Sequence, residues 1–148
     1  MIRLATTTDA SAVGTLIIET IQGTTKSGSA WVSEQIDSPT GVVLVDEELQ
    51  QIRGFIVGQI VIDEAEIHDL GVAETSRRNG IGSKLIKAFE AHVIHQGAVT
   101  CVLEVRASNN AAREAYAKAG YTVIAQRDRY YSDGEHALLM RHDFKGSS

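Results

Sequence analysis

Apolar positions along the chain change their spacing several times, and each change marks an element. Ile2 to Ala5 is a short apolar run that predicts a strand. Thr8-Asp9 offers an N-cap, and Val13, Leu16, Ile17 and Ile21 then recur at helical spacing. Gly23 to Ala30 is rich in Gly, Ser and Thr and predicts a loop; Trp31 to Ile36 predicts a short helix. Gly41 to Asp46 and Ile52 to Ile62 read as two strands around a polar Asp46-Glu47-Glu48 turn, hence a hairpin. Glu64 to Val72 is a third strand, followed by a polar loop from Ala73 to Asn79. Ile81, Leu85, Ile86, Phe89, Val93 and Ile94 mark the strongest amphipathic helix, ended by Gly97. Val99 to Val105 is rich in β-branched residues and predicts a buried strand. Asn109 to Ala119 is an Ala-rich helix with Gly120 at its C-cap. Tyr121 to Ala125, extending toward Tyr131, is a strand; Asp133-Gly134 is a turn; His136 to His142 is the last strand.

The order β-α-α-β-β-β-α-β-α-β-β predicts an α+β fold. Hairpins flank one βαβ crossover, so the sheet is mixed and mostly antiparallel, with about seven strands and about four helices. The 148 residues suit one domain over positions 1–144, with 145–148 a frayed tail. No apolar run approaches the ~20 residues of a membrane span, and Met1-Ile2-Arg3-Leu4 lacks the apolar stretch of a signal peptide. Cys101 is the one cysteine, which excludes an intrachain disulfide and a zinc finger and favours a cytoplasmic setting. Its place in an apolar strand makes it a core thiol. His92 and His95 stand three apart on a helix without an evident third ligand, so no metal site is expected. The net charge of −5 argues against a nucleic-acid binder and tolerates a cationic partner.

The most informative stretch is LGVAETSRRNGIGSKL, residues 70–85. A strand leads through a loop into a helix that opens with Gly80-Ile81-Gly82. Glycines let the backbone approach an anion, the first-turn N–H groups lack intrahelical acceptors, and the helix dipole favours negative charge. Arg77 and Arg78 add cationic charge beside Asn79. This is a candidate pyrophosphate cradle. It is not a nucleotide P-loop, whose glycine at position 77 is missing. Nor is it a dinucleotide fingerprint, whose third glycine is here Leu85.

A second stretch, VLEVRASNNAAREAYAKAG at 102–120, narrows the reading. Together RRNGIG, LEVRASN, the tyrosine before the helix end and YYSDGEHALLM resemble the GCN5-related N-acetyltransferases. Within that family they are similar to the branch that acetylates the N-terminal alanine of a ribosomal protein, and to its archaeal relatives. The resemblance spans about residues 30–140, and AWVSEQI is similar to another family segment.

The resemblance implies acetyl-CoA as cosubstrate, no metal, and direct attack by an amine. The acceptor it implies is the N-terminal α-amine, with alanine foremost, of a ribosomal small-subunit protein. It gives Glu104 the general-base role and Tyr116 the general-acid role, and it assigns acetyl-CoA binding to Arg77–Gly82, Asn109 and Tyr116. Leu70, Gly71 and Val72 match the strand whose backbone pairs with the pantetheine arm, where Gly71 lends the backbone flexibility. Tyr130 and Tyr131 fall where the family covers the acceptor; on a strand only one of them faces it. Plainer readings stand beside these. Glu104 can pair with Arg106 two residues on, Tyr116 can serve packing alone, and Asn109 is a good N-cap. Glu66 and His68, placed by alternation on one face with Leu70, are further candidates for a base or for lining the acceptor. The residues leave open other protein N-termini, a small amine, or a non-catalytic acetyl-CoA-binding module.

Overall fold

A computed structural model describes residues 1–20 and 28–144. Seven strands and four helices follow the expected order: β1 (Ile2–Leu4), α1 (Ala10–Thr20), α2 (Gly28–Asp37), β2 (Gly41–Glu48), β3 (Gln51–Val61), β4 (Glu64–Val72), α3 (Ile81–His95), β5 (Thr100–Arg106), α4 (Asn110–Ala119), β6 (Thr122–Arg127) and β7 (Ala137–Asp143). One sheet runs β1-β2-β3-β4-β5-β7-β6. Every neighbouring pair is antiparallel except β4 and β5, which α3 joins as the crossover.

The sheet separates two cores. On one face α1 and α2 pack Val13, Ile17 and Val32 against Val43, Val45, Phe55 and Val57. On the other, α3 and α4 pack Leu85, Ile86, Phe89 and Tyr116 against Ile56, Ile67, Leu103 and Val105. Ile94, counted from its spacing with the apolar side of α3, is half exposed. Among the described residues no helix is long and apolar enough to cross a membrane.

Two boundaries differ from the sequence reading. The loop expected over 23–30 lies outside the described residues up to position 27, and Gly28 already opens α2. The tail 145–148 also lies outside them. Asp46-Glu47-Glu48 is not a turn: β2 continues to Glu48, and Leu49-Gln50 turn the chain with φ of 52° and 64°. The acidic residues stay in the strand because cations meet them, Arg53 Nε at 3.0 Å from Asp46 and Arg3 Nε at 3.1 Å from Glu47.

The entry into α1 is also capped earlier than expected. Thr6 precedes a 3-10 turn over Thr7–Asp9, and Thr6 N–H donates to Asp9 Oδ2 at 2.8 Å. Arg3 grips the same carboxylate with two N–H groups, at 2.7 and 3.0 Å. That hydrogen bonding holds Asp9 down from 3.8 to about 2. A carboxylate depressed on folding contributes stability above its unfolded value and loses it as pH falls through the folded value. The contribution is about 2 kcal/mol at neutral pH. Asp9→Asn is therefore expected to unfold more easily in urea at pH 7, with its deficit shrinking between pH 4 and pH 2. A deficit that stays constant across that range would assign it to helix entry alone.

Candidate active site

β4 and β5 begin as a parallel pair, from Glu64↔Thr100 to Ile67↔Leu103, and then part. β4 stays bonded to β3 as far as Val72, and β5 to β7 as far as Arg106. The cause lies in β4. Val57 faces Asp69 while Gly58 faces Ile67, so His68 is an extra residue that bends the strand. Between the parted strands opens a cleft of about 1080 Å³.

The bulge also corrects the expected alternation. Glu66 lies opposite Gln59, accepts from its amide at 3.4 Å, and has His68 Nδ1 at 3.8 Å. Leu70 lies opposite Ile56 and packs on the α3/α4 side. One inserted residue thus puts Leu70 on the other face from Glu66.

At one end of the cleft stands the start of α3. Gly80 caps it at φ 73°, a conformation that suits glycine, and Arg78 before it also has a positive φ of 68°. The first N–H to bond back along the helix is that of Lys84, to Gly80 O, so those of Ile81, Gly82 and Ser83 have no intrahelical acceptor. A Cβ on Gly80 would meet nothing within 4 Å, and one on Gly82 only Val72 Cγ2 at 3.9 Å. Gly82 lines the cleft, so the space a side chain would take there is open for an anion. Arg77 and Arg78 line it too, Arg77 with its Nε on Val72 O at 3.2 Å. Asn79 is set apart: its side chain donates to Ser76 O at 3.2 Å and does not line the cleft.

Leu70, Gly71 and Val72 form the cleft's β4 wall. Gly71 is not there for flexibility. A Cβ would land 2.5 Å from Thr20 Oγ1 and 2.6 Å from the Phe55 ring, so close packing demands glycine. Asn109 is the expected N-cap of α4, its Oδ1 accepting from Ala112 N–H at 3.2 Å, and it also lines the cleft. Ala111, Ala112 and Ala115 of α4 complete this wall with Ser83 and Ser108. The sequence reading passed over them; the signal was there, because small residues at positions 111, 112 and 115 share one side of a helix.

Glu104 and Tyr116 meet the cleft from opposite faces of the sheet. Leu103 and Val105 point into the α3/α4 core, so Glu104 points to the α1/α2 side. Its Oε2 is buried and has no hydrogen-bond partner among the described residues, and its Oε1 lies 3.9 Å from Arg127. Tyr116, on α4, is buried in the α3/α4 core and lines the cleft. Burial, and then the nearby Asp69, pushes its phenol well above the usual range, so the hydroxyl keeps its proton at neutral pH.

Arg106 is not the partner of Glu104. Its Nη1 bonds Asp133 at 2.8 Å and Glu135 at 3.2 Å. Tyr130 and Tyr131 lie beyond β6, not on it, and both line the cleft, with their rings edge-to-face at 5.2 Å. Cys101 is fully buried, its thiol pushed up to about 12 by burial, and is a core residue.

A gap that passes through a sheet suits group transfer, since two reactants can enter from opposite faces and meet between the strands. With the open start of α3 at one end, the cleft suits transfer of a group from a phosphate-bearing carrier. The sequence model of the acetyltransferase (GNAT) family matches residues 15–121. The [Ribosomal protein bS18]-alanine N-acetyltransferase of Escherichia coli K12 is 32% identical over 116 residues, covering 74% of this chain and 78% of that protein. The crystal structure of the ribosomal-protein-S18-alanine N-acetyltransferase from Escherichia coli superposes with a TM-score of 0.87 at 25% identity, over 99% of this chain and 96% of that one. Ard1 from Thermoplasma volcanium gives 0.87 at 28% identity, over 99% and 98%. The chain belongs to the GNAT family and is an N-acetyltransferase, a member of a family that uses acetyl-CoA.

Proposed function

We propose that this protein acetylates the N-terminal α-amine of a protein, with the alanine terminus of a ribosomal small-subunit protein as the leading acceptor. The carrying observation is that Glu104 and Tyr116 open on one cleft from opposite faces of the sheet. The relatives named for ribosomal-protein alanine acetylation support the acceptor, and the net charge of −5 suits a cationic one. A cytoplasmic place of action follows from that acceptor.

The residues present fit acetyl-CoA. The open space at Gly80 and Gly82, the unpaired N–H groups of the first turn of α3, and Arg77 and Arg78 suit its pyrophosphate. The edge of β4 that β5 leaves beyond Ile67, at Leu70, Gly71 and Val72, suits the amides of its arm, and Asn109 stands across the cleft. Bound acetyl-CoA supplies a thioester, whose C–S bond breaks as the amine nitrogen bonds the acetyl carbon.

The chain's own residues handle the protons. An α-ammonium has a pKa of about 7.7–8.0 against about 10.4 for lysine, so a modest base suffices near neutrality. Glu104 takes the ammonium proton, and its unpartnered Oε2 is the acceptor atom. Tyr116, held neutral by burial, donates its hydroxyl proton to the departing sulfur, and the second proton that the nitrogen sheds as the amide forms restores it. Tyr130 and Tyr131 cover the acceptor end.

The test is acetyl transfer to a peptide carrying the N-terminus of ribosomal protein S18, beside the same peptide with a blocked α-amine and an internal lysine, and beside a polyamine. Transfer to the free α-amine is the expected result. Transfer to the polyamine alone would move the acceptor to small amines, and binding of acetyl-CoA without turnover on any amine would favour a binding module.

A further inference from the structure

We propose that Arg106 is a positioning residue for the acceptor, holding the Tyr130–Tyr131 cover in place before the acceptor arrives. This rests on the reading of that segment as the acceptor's cover. Arg106 lies on β5, on the same face as Glu104 and two residues on. Its side chain is only 12% exposed. The edge of the guanidinium bonds two carboxylates of the β6–β7 connection, Asp133 and Glu135. Its face lies over the Tyr131 ring, 4.0 Å from the centroid.

The connection is itself built to receive this clamp. Asp133 Oδ1 accepts from Glu135 N–H at 3.0 Å, Gly134 N–H bonds Tyr131 O at 2.9 Å, and Tyr131 N–H bonds Glu135 O at 3.2 Å. Gly134 takes a φ of 87° to close that turn. Both carboxylates are thus presented together, and both are held below the usual carboxylate range. One planar cation therefore ties the ring of Tyr131 to the strand that carries Glu104. Lysine can supply the charge but not the flat face that lies over the Tyr131 ring. The arrangement sets the distance between cover and base in the free protein, which lowers the ordering cost of acceptor binding.

A clamp that served stability alone would lower the folded fraction and hence apparent kcat, leaving both KM values as they are. A positioning clamp shows in the acceptor's KM. Arg106→Lys is expected to raise the KM for the acceptor peptide about tenfold, with the KM for acetyl-CoA within about twofold of the original. Asp133→Asn, at an exposed position, loosens the clamp from the other side and is expected to move the acceptor's KM in the same direction, even if Arg106→Lys fails to fold. Arg106→Lys combined with Tyr131→Leu is expected to be no worse than the worse single variant, because both break one contact. Unchanged acceptor KM in Arg106→Lys and Asp133→Asn, with wild-type turnover intact, overturns the role of Arg106 and leaves N-terminal acetylation standing. Absence of wild-type turnover on any α-amine overturns the acceptor reading, and the role of Arg106 with it.

Discussion

Glu104→Gln lowers kcat for acetyl transfer by about a hundredfold to ten-thousandfold, the usual worth of a positioned general base. The substitution keeps the side chain's volume and breaks no hydrogen bond at Oε2, which has none among the described residues. Its ion pair with Arg127 is long, at 3.9 Å, and Arg127 is 54% exposed, so little stability is lost with it. Melting temperature is therefore expected to move by a few degrees at most while activity collapses. Tyr116→Phe is expected to lower kcat by about a hundredfold with the KM for acetyl-CoA little changed, since the ring still fills its place beside Tyr121, 5.6 Å centroid to centroid. Steady-state kinetics on the S18 peptide, with a melting curve for each variant, check both. Glu104→Gln activity within threefold of the original would move the proton acceptor elsewhere. Other titratable groups on the same cleft are Glu66, His68 and Asp69.

Gly82→Val is expected to raise the KM for acetyl-CoA by about a hundredfold or more with no loss of stability. The added atoms have room in the protein itself, Val72 Cγ2 being the one neighbour within 4 Å of the new Cβ. Glycine within a helix costs about 1 kcal/mol relative to alanine, so the helix gains rather than suffers. The side chain takes the space beside the open N–H groups of α3, where a pyrophosphate would approach. Isothermal titration with coenzyme A, beside a melting curve, separates the two effects. A stable variant that binds coenzyme A as the original does would show that the cradle lies elsewhere. The comparison depends on Gly82 differing from Gly71, where a Cβ would collide with the Phe55 ring and disturb the core instead.

Local pattern determined much of this protein. Helical spacing marked α3, and alternation and apolar runs marked all seven strands, because both periods arise from neighbours a few residues apart. Capping chemistry placed Asn109 and Gly120 at the two ends of α4, where they are found. RRNGIG marked the glycine-capped start of α3, whose first-turn N–H groups lack helix acceptors. LEVRASN and YYSDGEHALLM carried the family resemblance, and with it Glu104, Tyr116 and the tyrosine pair. Tertiary structure decided the rest. The bulge at His68 exists only in the register with β3, and it alone moves Leu70 off the face of Glu66 and parts β4 from β5. Gly71 looked like a flexible residue until Phe55 and Thr20, both far away in sequence, were found against it. Arg106 looked like the partner of Glu104 because spacing within a strand was all there was to read. Its true partners stand 27 and 29 residues away. Two residues on one strand face are neighbours whatever the fold, but which charge a guanidinium meets depends on which chain segment is brought across it.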